Sequence, residues 1–290
     1  MLVTWAYRFR DSLMEKIDPR ARWIFSLLFL FTISMYWDLR FLLFFFVLAW
    51  FWYSLARVNF KETRRAWILV SILLFSMIIV NTILSGGGAA GVVKGPGHPV
   101  FSLHFNLPIV NWMVNFNLTV ERLWFGLCQL VRVWAISAIF IIIPFSMDPR
   151  LYGVTFRRLG LSDRFAFSMD LAFRYVPTLA RDFAITLDAQ KARGYEIERV
   201  EGGLITQVRR IAPLIIPITM GSIIGGEDMV NAMDLRCFGL RPRTWIQETI
   251  FHWYDYAIIA FGISLLVSSF ILRNFIHLGN FWVPPGILPG

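Results

Sequence analysis

The chain has 290 residues, of which 57% are hydrophobic and 17% aromatic, while only 16% are charged. Soluble domains average about 45–50% apolar and about 25% charged residues, and they rarely expose large apolar patches. This composition excludes a soluble globule, a disordered chain and a coiled coil. The net charge of +9 fits a membrane protein with basic cytoplasmic loops near anionic headgroups better than it fits a nucleic-acid-binding domain.

Five largely uncharged stretches approach the roughly 20 residues that a membrane-spanning helix needs. In chain order they are 23–37, 41–56, 66–84, 118–145 and 256–272. The first two are expected to form a tight helical hairpin around Asp38 and Arg40, and Glu121, Arg122 and Arg132 interrupt the fourth. The sequence therefore predicts an all-α, polytopic membrane protein with about five transmembrane helices.

These spans divide the chain into four regions: a cytoplasmic amphipathic segment (1–22), four spans with an external Gly-rich loop at 85–117 (23–145), a cytoplasmic region (146–253), and the last span with an external tail (254–290). Basic residues precede the first span and fill the loop between the second and third, whereas the loop 85–117 has only Lys94. By the positive-inside rule the N-terminus is therefore cytoplasmic and the C-terminus external.

The cytoplasmic region 146–253 carries half of the 28 basic residues, nearly balanced by acidic ones, in a pattern typical of two long amphipathic helices. The first helix has an apolar stripe formed by Ala172, Tyr175, Val176, Leu179 and Phe183. Pro177 is expected to kink it. The second helix runs from about 204 to 235, is more apolar, and contains Pro213 and Pro217. Such helices can lie along a membrane surface.

Both predicted helices end on similar motifs, DAQKARGY at 188–195 and NAMDLRCF at 231–238, each with an Ala four residues before an Arg and an aromatic residue two after it. Each motif also follows an Arg-x-x-Pro element, Arg174 to Pro177 and Arg210 to Pro213. These could be two ordinary helix ends, because an Arg complements the helix dipole by about 0.3–1 kcal/mol and Gly194 suits a left-handed closing residue. The duplication equally fits docking, in which each guanidinium binds carboxylate or carbonyl groups of a partner.

The sequence resembles the transmembrane T component of energy-coupling factor (ECF) transporters, a family that includes permease subunits of cobalt, nickel and biotin importers. The resemblance covers nearly the whole chain in order. It is carried by Asp18-Pro19-Arg20, Arg174-Tyr175-Val176-Pro177, Ala189-Gln190-Lys191-Ala192-Arg193-Gly194 and Ala232-Met233-Asp234-Leu235-Arg236-Cys237. In the family, small residues usually flank the Arg of each motif. The second motif departs from this, because Leu235 and Cys237 flank Arg236.

The resemblance implies a coupling subunit for vitamin or transition-metal uptake in the plasma (inner) membrane of a prokaryote, and not an enzyme. The implied partners, besides the lipid bilayer, are two ABC-type ATPase subunits and a small membrane-embedded S component that binds the solute. The implied ATPase-coupling residues are Ala192, Arg193, Gly194, Leu235, Arg236 and Cys237. Supporting or hinge roles fall to Arg174, Pro177, Ala189, Pro213 and Ala232.

No pattern in the sequence predicts a catalytic, metal-binding or cofactor-binding site. The four histidines are scattered without an HExxH motif, and the glycine motifs at 86–88 and 95–97 lack the Lys-Ser/Thr of a phosphate-binding loop. Cys128 and Cys237 are far apart and do not indicate a disulfide framework. Arg132 is the one charge well inside a span, and pairing with a carbonyl or carboxylate group of the bundle is favoured over a functional role.

Two other functions remain open from the residues alone. A membrane-embedded enzyme could use Asp170, Asp182 and Asp188 with nearby arginines on a phosphorylated lipid, although no recognised spacing of catalytic groups is found. A conventional ABC importer permease would instead line the translocation path itself.

Overall fold

A computed structural model describes residues 9–84, 99–107, 112–194, 204–240, 245, 249–275, 279 and 281–284. Within them the helices are α1 (Leu13–Lys16), α2 (Pro19–Ser34), α3 (Leu39–Leu55), α4 (Phe60–Leu84), α5 (Val120–Ser146), a 3-10 helix (Pro149–Leu151), α6 (Tyr152–Arg158), α7 (Asp163–Ala192), α8 (Leu204–Leu235) and α9 (Trp253–Phe275). Strands β1 (Pro99–Leu107) and β2 (Trp112–Thr119) precede α5. The first eight residues and the glycine motifs at 86–88 and 95–97 lie outside the described residues.

Among the described residues, three helices are long and apolar enough to cross a membrane: Phe60–Val80 within α4, α5, and α9. α3 is also apolar but has 17 residues, and α2 has 16. The first two predicted spans are therefore shorter than the roughly 20 residues of a typical membrane crossing. The predicted all-α, polytopic membrane class is confirmed.

The chain forms two compact units. The transmembrane unit comprises Tyr7–Met147 and Ile250–Gly290, and the α7–α8 unit comprises Asp148–Thr249. The 3-10 helix, α6, α7 and α8 belong to the second unit. Every residue that the sequence singles out for ATPase coupling therefore belongs to the α7–α8 unit.

Helices α2 and α3 form the predicted hairpin and are held together by aromatic side chains. Asp38 begins α3 as its N-cap, where its carboxylate accepts a hydrogen bond from the N–H of Arg40 at 3.0 Å. The ring centroids of Phe25 and Trp52 are 4.4 Å apart, and those of Phe29 and another α3 ring, Phe45, are 5.7 Å apart in an edge-on arrangement. Such aromatic pairs add about 0.5–1.5 kcal/mol each beyond the burial of their area.

Small residues allow the other helices of the transmembrane unit to approach closely. α5 packs on α3 and buries Ala135, Ala138 and Ile142, which recur at helical spacing. α9 packs on α2 at Gly262, where an added Cβ would lie 3.0 Å from Cδ1 of Leu28. Gly and Ala at helix crossings are typical of membrane proteins, in which packing rather than water exclusion holds helices together.

The motif Asp18-Pro19-Arg20 joins the start of α2 to the start of α9. Asp18 is the N-cap of α2, and both of its carboxylate oxygens bind the Arg20 guanidinium, at 3.1 and 2.9 Å. The backbone N–H of Asp18 donates to Oδ1 of Asp255 at 2.8 Å. Asp255 is completely buried in the first turn of α9 and also accepts a hydrogen bond from the N–H of His252 at 2.8 Å. The buried carboxylates are thus hydrogen-bonded, as burial of charge requires.

Arg132 of α5 is buried and binds the chain just beyond the end of α2. Its guanidinium donates to the carbonyl oxygen of Tyr36 and, at 3.2 Å, to the side-chain oxygen of Gln129. It also lies 4.2 Å from the ring centroid of Trp37. The predicted pairing of Arg132 with a carbonyl group of the bundle is confirmed.

Part of the segment that the sequence predicted as a Gly-rich loop forms a β-hairpin instead. Strands β1 and β2 pair antiparallel from Pro99↔Thr119 to Leu107↔Trp112, with an irregularity between Pro99 and Phe101. β2 leads directly into α5 at Val120. A hairpin satisfies backbone hydrogen bonds that an irregular loop leaves to water.

Candidate functional site

Helices α7 and α8 run antiparallel in the α7–α8 unit. Near one end, the ring centroids of Phe167 on α7 and Phe238, just past α8, are 4.8 Å apart. Near the other end, the side chain of Gln190 on α7 donates to the carbonyl oxygen of Pro213 on α8 at 3.5 Å. The helices have 30 and 32 residues, so each is about 45 Å long. Their C-terminal tips therefore lie at opposite ends of the pair.

The two helices cross closely where α8 has a glycine pair. An added Cβ at Gly225 would lie 2.7 Å from the hydroxyl oxygen of Tyr175, so this position accepts no larger side chain without a shift. Pro177 lies within α7, and Pro213 and Pro217 lie within α8, yet both helices are continuous through them. Leu204–Leu235 matches the extent that the sequence predicted for the second helix, which confirms it.

The α7–α8 unit exposes a large apolar surface. Ala166 is the only buried residue of α7, and Phe183 of its predicted apolar stripe is 40% exposed. On α8, exposures of 54–61% are found at Ile215, Ile216, Met220, Ile223 and Ile224. Contiguous exposed apolar surface of this kind marks a contact with lipid or with another protein.

A groove of about 760 Å³ lies between the facing sides of α7 and α8. Its lining is mostly apolar and includes Phe167, Leu171 and Tyr175 from α7, and Met229 and Val230 from α8. Near one end of the groove, Phe167 contacts Phe238. The groove is therefore continuous with the helix end that carries Arg236.

The first tip is the end of α7. Arg193 is its C-cap, and the N–H of Arg193 donates to the carbonyl oxygens of Ala189 and Gln190 at 3.3 and 3.0 Å. Gly194 follows with φ +83°, the left-handed conformation that glycine adopts without a steric cost. Ala189, Ala192 and Arg193 are exposed, so two small residues lie within one helical turn of an exposed Arg.

The second tip is the end of α8, and its backbone forms a Schellman motif. The N–H of Phe238 donates to the carbonyl oxygen of Met233 at 3.0 Å, and the N–H of Cys237 donates to that of Asp234 at 2.9 Å. Cys237 takes the left-handed position with φ +52°, where Gly194 stands in the first tip. Arg236 is exposed, and Leu235 is 87% exposed. The two tips share a backbone design but differ in the residues that carry it.

The model of one protein family, CbiQ, described as a cobalt transport protein, matches residues 12–246. The chain belongs to the CbiQ family. The match runs from α1 through both helix tips, so it includes the repeated Arg motifs together with most of the transmembrane unit.

Curated relatives are similar to this CbiQ-family chain over most of its length. The energy-coupling factor transporter transmembrane protein EcfT of Thermanaerovibrio acidaminovorans is 24% identical over 82% of the chain and 86% of the relative. The EcfT protein of Clostridium kluyveri is 23% identical over 91% of the chain and 93% of the relative. A Bifidobacterium longum protein, named as an ABC transporter ATP-binding protein, is 27% identical over 82% of the chain but 29% of the relative. The chain is a multi-pass transmembrane component of an ECF transporter.

The other predicted site residues of the CbiQ-family chain lie along the same two helices. Arg174 approaches Asp170 one turn earlier at 3.5 Å, and its side chain is 76% exposed. Pro177 is exposed on α7, and Pro213 and Ala232 are exposed on α8. The side chain of Arg210, which begins the second Arg-x-x-Pro element, lies outside the described residues. The structure therefore does not bring Arg174 and the two tips into one cluster.

The carboxylates of the enzyme alternative are not gathered into a metal site in the described part of the chain. Asp182 and Asp188 are exposed on α7, and Asp170 faces Arg174. Across the described ranges, no group of three or more His, Cys, Asp or Glu side chains is placed to hold a metal ion.

Three contacts of the site were not predicted from the sequence: the Phe167 ring against Phe238, the Gln190 side chain on Pro213, and Tyr175 against Gly225. Phe238 and Gln190 belong to the repeated motifs, so for two of these contacts the sequence already drew attention to one of the two partners. The other halves depend on which residues face each other across the helix pair.

Proposed function

We propose that the chain is the coupling subunit of an ECF-type importer, which transmits the ATP-driven movement of two ABC-type ATPase subunits to a membrane-embedded S component. The S component carries the solute, a vitamin or a transition-metal ion. ATP hydrolysis belongs to the ATPase subunits, and this chain supplies contacts and movement rather than catalysis.

The observation that carries this proposal is the placement of two exposed arginines at opposite ends of one helix pair. Arg193 and Arg236 each cap a long helix and are followed by a left-handed residue that ends it. Two sites about a helix length apart suit two separate ATPase subunits, one on each tip. Arg is one of the residue types enriched among interface hot spots, and its bonds to carboxylates are about twice as strong as neutral hydrogen bonds.

The apolar surface between the tips provides the route from the ATPases to the S component. When the two ATPases move relative to each other, the tips move with them, and Pro177 and Pro213 are positions where each helix can bend. The exposed isoleucines of α8 and the stripe on α7 then shift against the S component in the bilayer. Residues that contact neither ATP nor solute thus link hydrolysis to uptake.

Charge reversal at the two tips tests the proposal. In a chain co-expressed with two ABC-type ATPases and an S component of the same organism, Arg193→Glu and Arg236→Glu should each weaken ATPase binding at least about 30-fold, the equivalent of about 2 kcal/mol. The double variant should abolish solute uptake into proteoliposomes. Binding is measured by titrating ATPase subunits onto the reconstituted membrane complex, and uptake by accumulated labelled solute.

The matched control is Arg181→Glu, which reverses an exposed charge in the middle of α7 without touching either tip. It should leave ATPase binding and uptake within about two-fold of the original chain, as expected for an isolated surface charge. If the double tip variant transports at the original rate, the ATPase-docking assignment is wrong.

A further inference from the structure

The second tip has a contact that lies outside its own helix. Phe238, two residues after Arg236, places its ring 4.8 Å from that of Phe167 at an interplanar angle of 49°. Phe167 lies near the N-terminal end of α7, four residues after Asp163, the first residue of that helix. The segment that follows Arg236 is therefore attached to the helix that carries the other tip.

The backbone of this tip leaves little freedom between Arg236 and Phe238. Cys237 is fixed in the left-handed conformation, and the N–H of Phe238 bonds back to Met233 at 3.0 Å. A displacement of the Phe238 backbone relative to α7 must therefore move the backbone of Arg236 as well. Arg236 itself is exposed, and its backbone N–H donates to the carbonyl oxygen of Met233 at 3.1 Å.

The contact also terminates the groove between α7 and α8. Phe167 and Met233, the acceptor of the Phe238 backbone bond, both line that groove. A change in the distance between α7 and α8 at this end of the groove therefore changes the contact between Phe167 and Phe238.

We propose that Phe238 and Phe167 form an aromatic clasp that positions the second tip. The clasp holds Arg236 in one orientation relative to α7, so that an ATPase subunit meets a preorganised guanidinium and its movement passes into both helices. Phe238 is a positioning residue and is not itself the ATPase contact. The inference deepens the proposed function and rests on the docking of an ATPase at Arg236.

A double-mutant cycle tests the clasp in the full chain, co-purified with its S component. Phe238→Ala and Phe167→Ala should each weaken ATPase binding by about two- to ten-fold, because an aromatic pair contributes to that extent. The double variant Phe167→Ala/Phe238→Ala should bind no more weakly than either single one, since the contact is already lost. Phe238→Tyr, which keeps the ring, should bind like the original chain.

The matched control removes a different aromatic pair from the same helix. Phe173 of α7 contacts Tyr152 of α6 with ring centroids 5.0 Å apart. Phe173→Ala deletes an equal side chain away from the tip, and ATPase binding should stay within about two-fold of the original chain.

A readout of local order separates positioning from general stability. A nitroxide on Cys237, with the buried Cys128 replaced by Ala, reports the mobility of the tip next to Phe238. Its spectrum should show faster motion in Phe238→Ala but not in Phe173→Ala, at equal unfolding temperatures of the two variants. Phe238→Leu provides a second variant for the same measurement.

The outcomes distinguish this inference from the function on which it rests. Additive losses in the cycle, or an unchanged nitroxide spectrum in Phe238→Ala and Phe238→Leu, would overturn the clasp. If Arg236→Glu weakens ATPase binding while Phe238→Ala does not, only the clasp is wrong. If Arg236→Glu itself leaves binding unchanged, the docking function of this tip is wrong as well.

Discussion

At the scale of single residues, the two tips end in the same left-handed backbone conformation but place different residues in it. Gly194 and Cys237 both end a long helix in the left-handed conformation, with φ +83° and +52°. For an L-residue with a Cβ that region costs about 1–2 kcal/mol, whereas glycine is free of the clash. The second tip therefore carries a local strain that the first does not.

Exchanging these residues should shift stability in opposite directions. Cys237→Gly should stabilise the folded chain by up to about 1 kcal/mol, because it removes the clash at the left-handed position. Gly194→Cys should destabilise it by a similar amount. The measurement is the unfolding temperature of the purified complex in one detergent, and ATPase binding to Cys237→Gly should be retained.

Cys237→Val is the stricter comparison, because a β-branched residue tolerates positive φ least. The expected order of stability at this position is Gly above Cys above Val. An order in which Val exceeds Gly would mean that Cys237 does not hold a left-handed conformation in solution.

The sequence predicted that two long helices end next to Arg193 and Arg236, because a helix end is a local signal that a few neighbouring residues carry. It also predicted the kind of partner of Arg132, since a buried charge needs a carbonyl or carboxylate group. It did not predict Phe167 as the partner of Phe238. These residues are far apart in the chain, and only the antiparallel pairing of α7 with α8 brings them together.

At the scale of elements, the prolines of α8 leave a backbone carbonyl oxygen without its helical hydrogen-bond donor, and a side chain of α7 donates to it instead. In an α-helix the carbonyl oxygen of Pro213 would accept from the N–H four residues later, but that residue is Pro217, which has no N–H. The side chain of Gln190 donates to this oxygen instead, at 3.5 Å. The end of α7 that precedes Arg193 is thus bonded to the proline segment of α8.

Loss of this bond should loosen α8 only while Pro217 is present. Gln190→Met removes the donor at similar length, and backbone hydrogen exchange around 214–220 should accelerate by about two- to five-fold, the equivalent of about 0.5–1 kcal/mol. In a Pro217→Ala background a backbone N–H can take over the bond, so the same substitution should have no effect on exchange.

Lys191→Met is the matched control, because it removes the charge of the adjacent exposed side chain without touching Pro213. Exchange in 214–220 should be unchanged there. Equal acceleration by Gln190→Met in the chain that keeps Pro217 and in the Pro217→Ala background would contradict a role for this bond.

The sequence predicted the long helices but not the β1–β2 hairpin. Apolar period and length predicted the extent of α8, because a long amphipathic helix repeats its signal over many turns. Phe101, Leu103, Phe105 and Leu107 alternate with polar residues in the pattern of a strand, as do Val114, Phe116 and Leu118. The nearby glycine motifs favoured a loop instead, and strand pairing depends on a partner segment that period alone does not reveal.

At the scale of the whole molecule, the distribution of charge predicts the orientation in the membrane. Exposed basic residues Arg57, Lys61, Arg64 and Arg65 surround the connection between α3 and α4, while the α2–α3 turn carries Asp38 and Arg40. Basic residues are retained on the cytoplasmic side. On this prediction Lys61 is inside and the α2–α3 turn is outside. The ATPase docking that we propose requires Arg193 and Arg236 to be on the cytoplasmic side as well.

Thiol labelling in cells checks this orientation. Cys237 is exposed and Cys128 is buried, so a membrane-impermeant maleimide should modify the protein at Cys237 only after the cells are permeabilised. In a Cys237→Gly background, Lys61→Cys should also be protected in intact cells, whereas Arg40→Cys should be labelled without permeabilisation. Because each cysteine serves as the control for the other, labelling of Lys61→Cys and protection of Arg40→Cys in intact cells would reverse the predicted orientation. Labelling of Cys237 itself in intact cells would place Arg236 on the side without ATP.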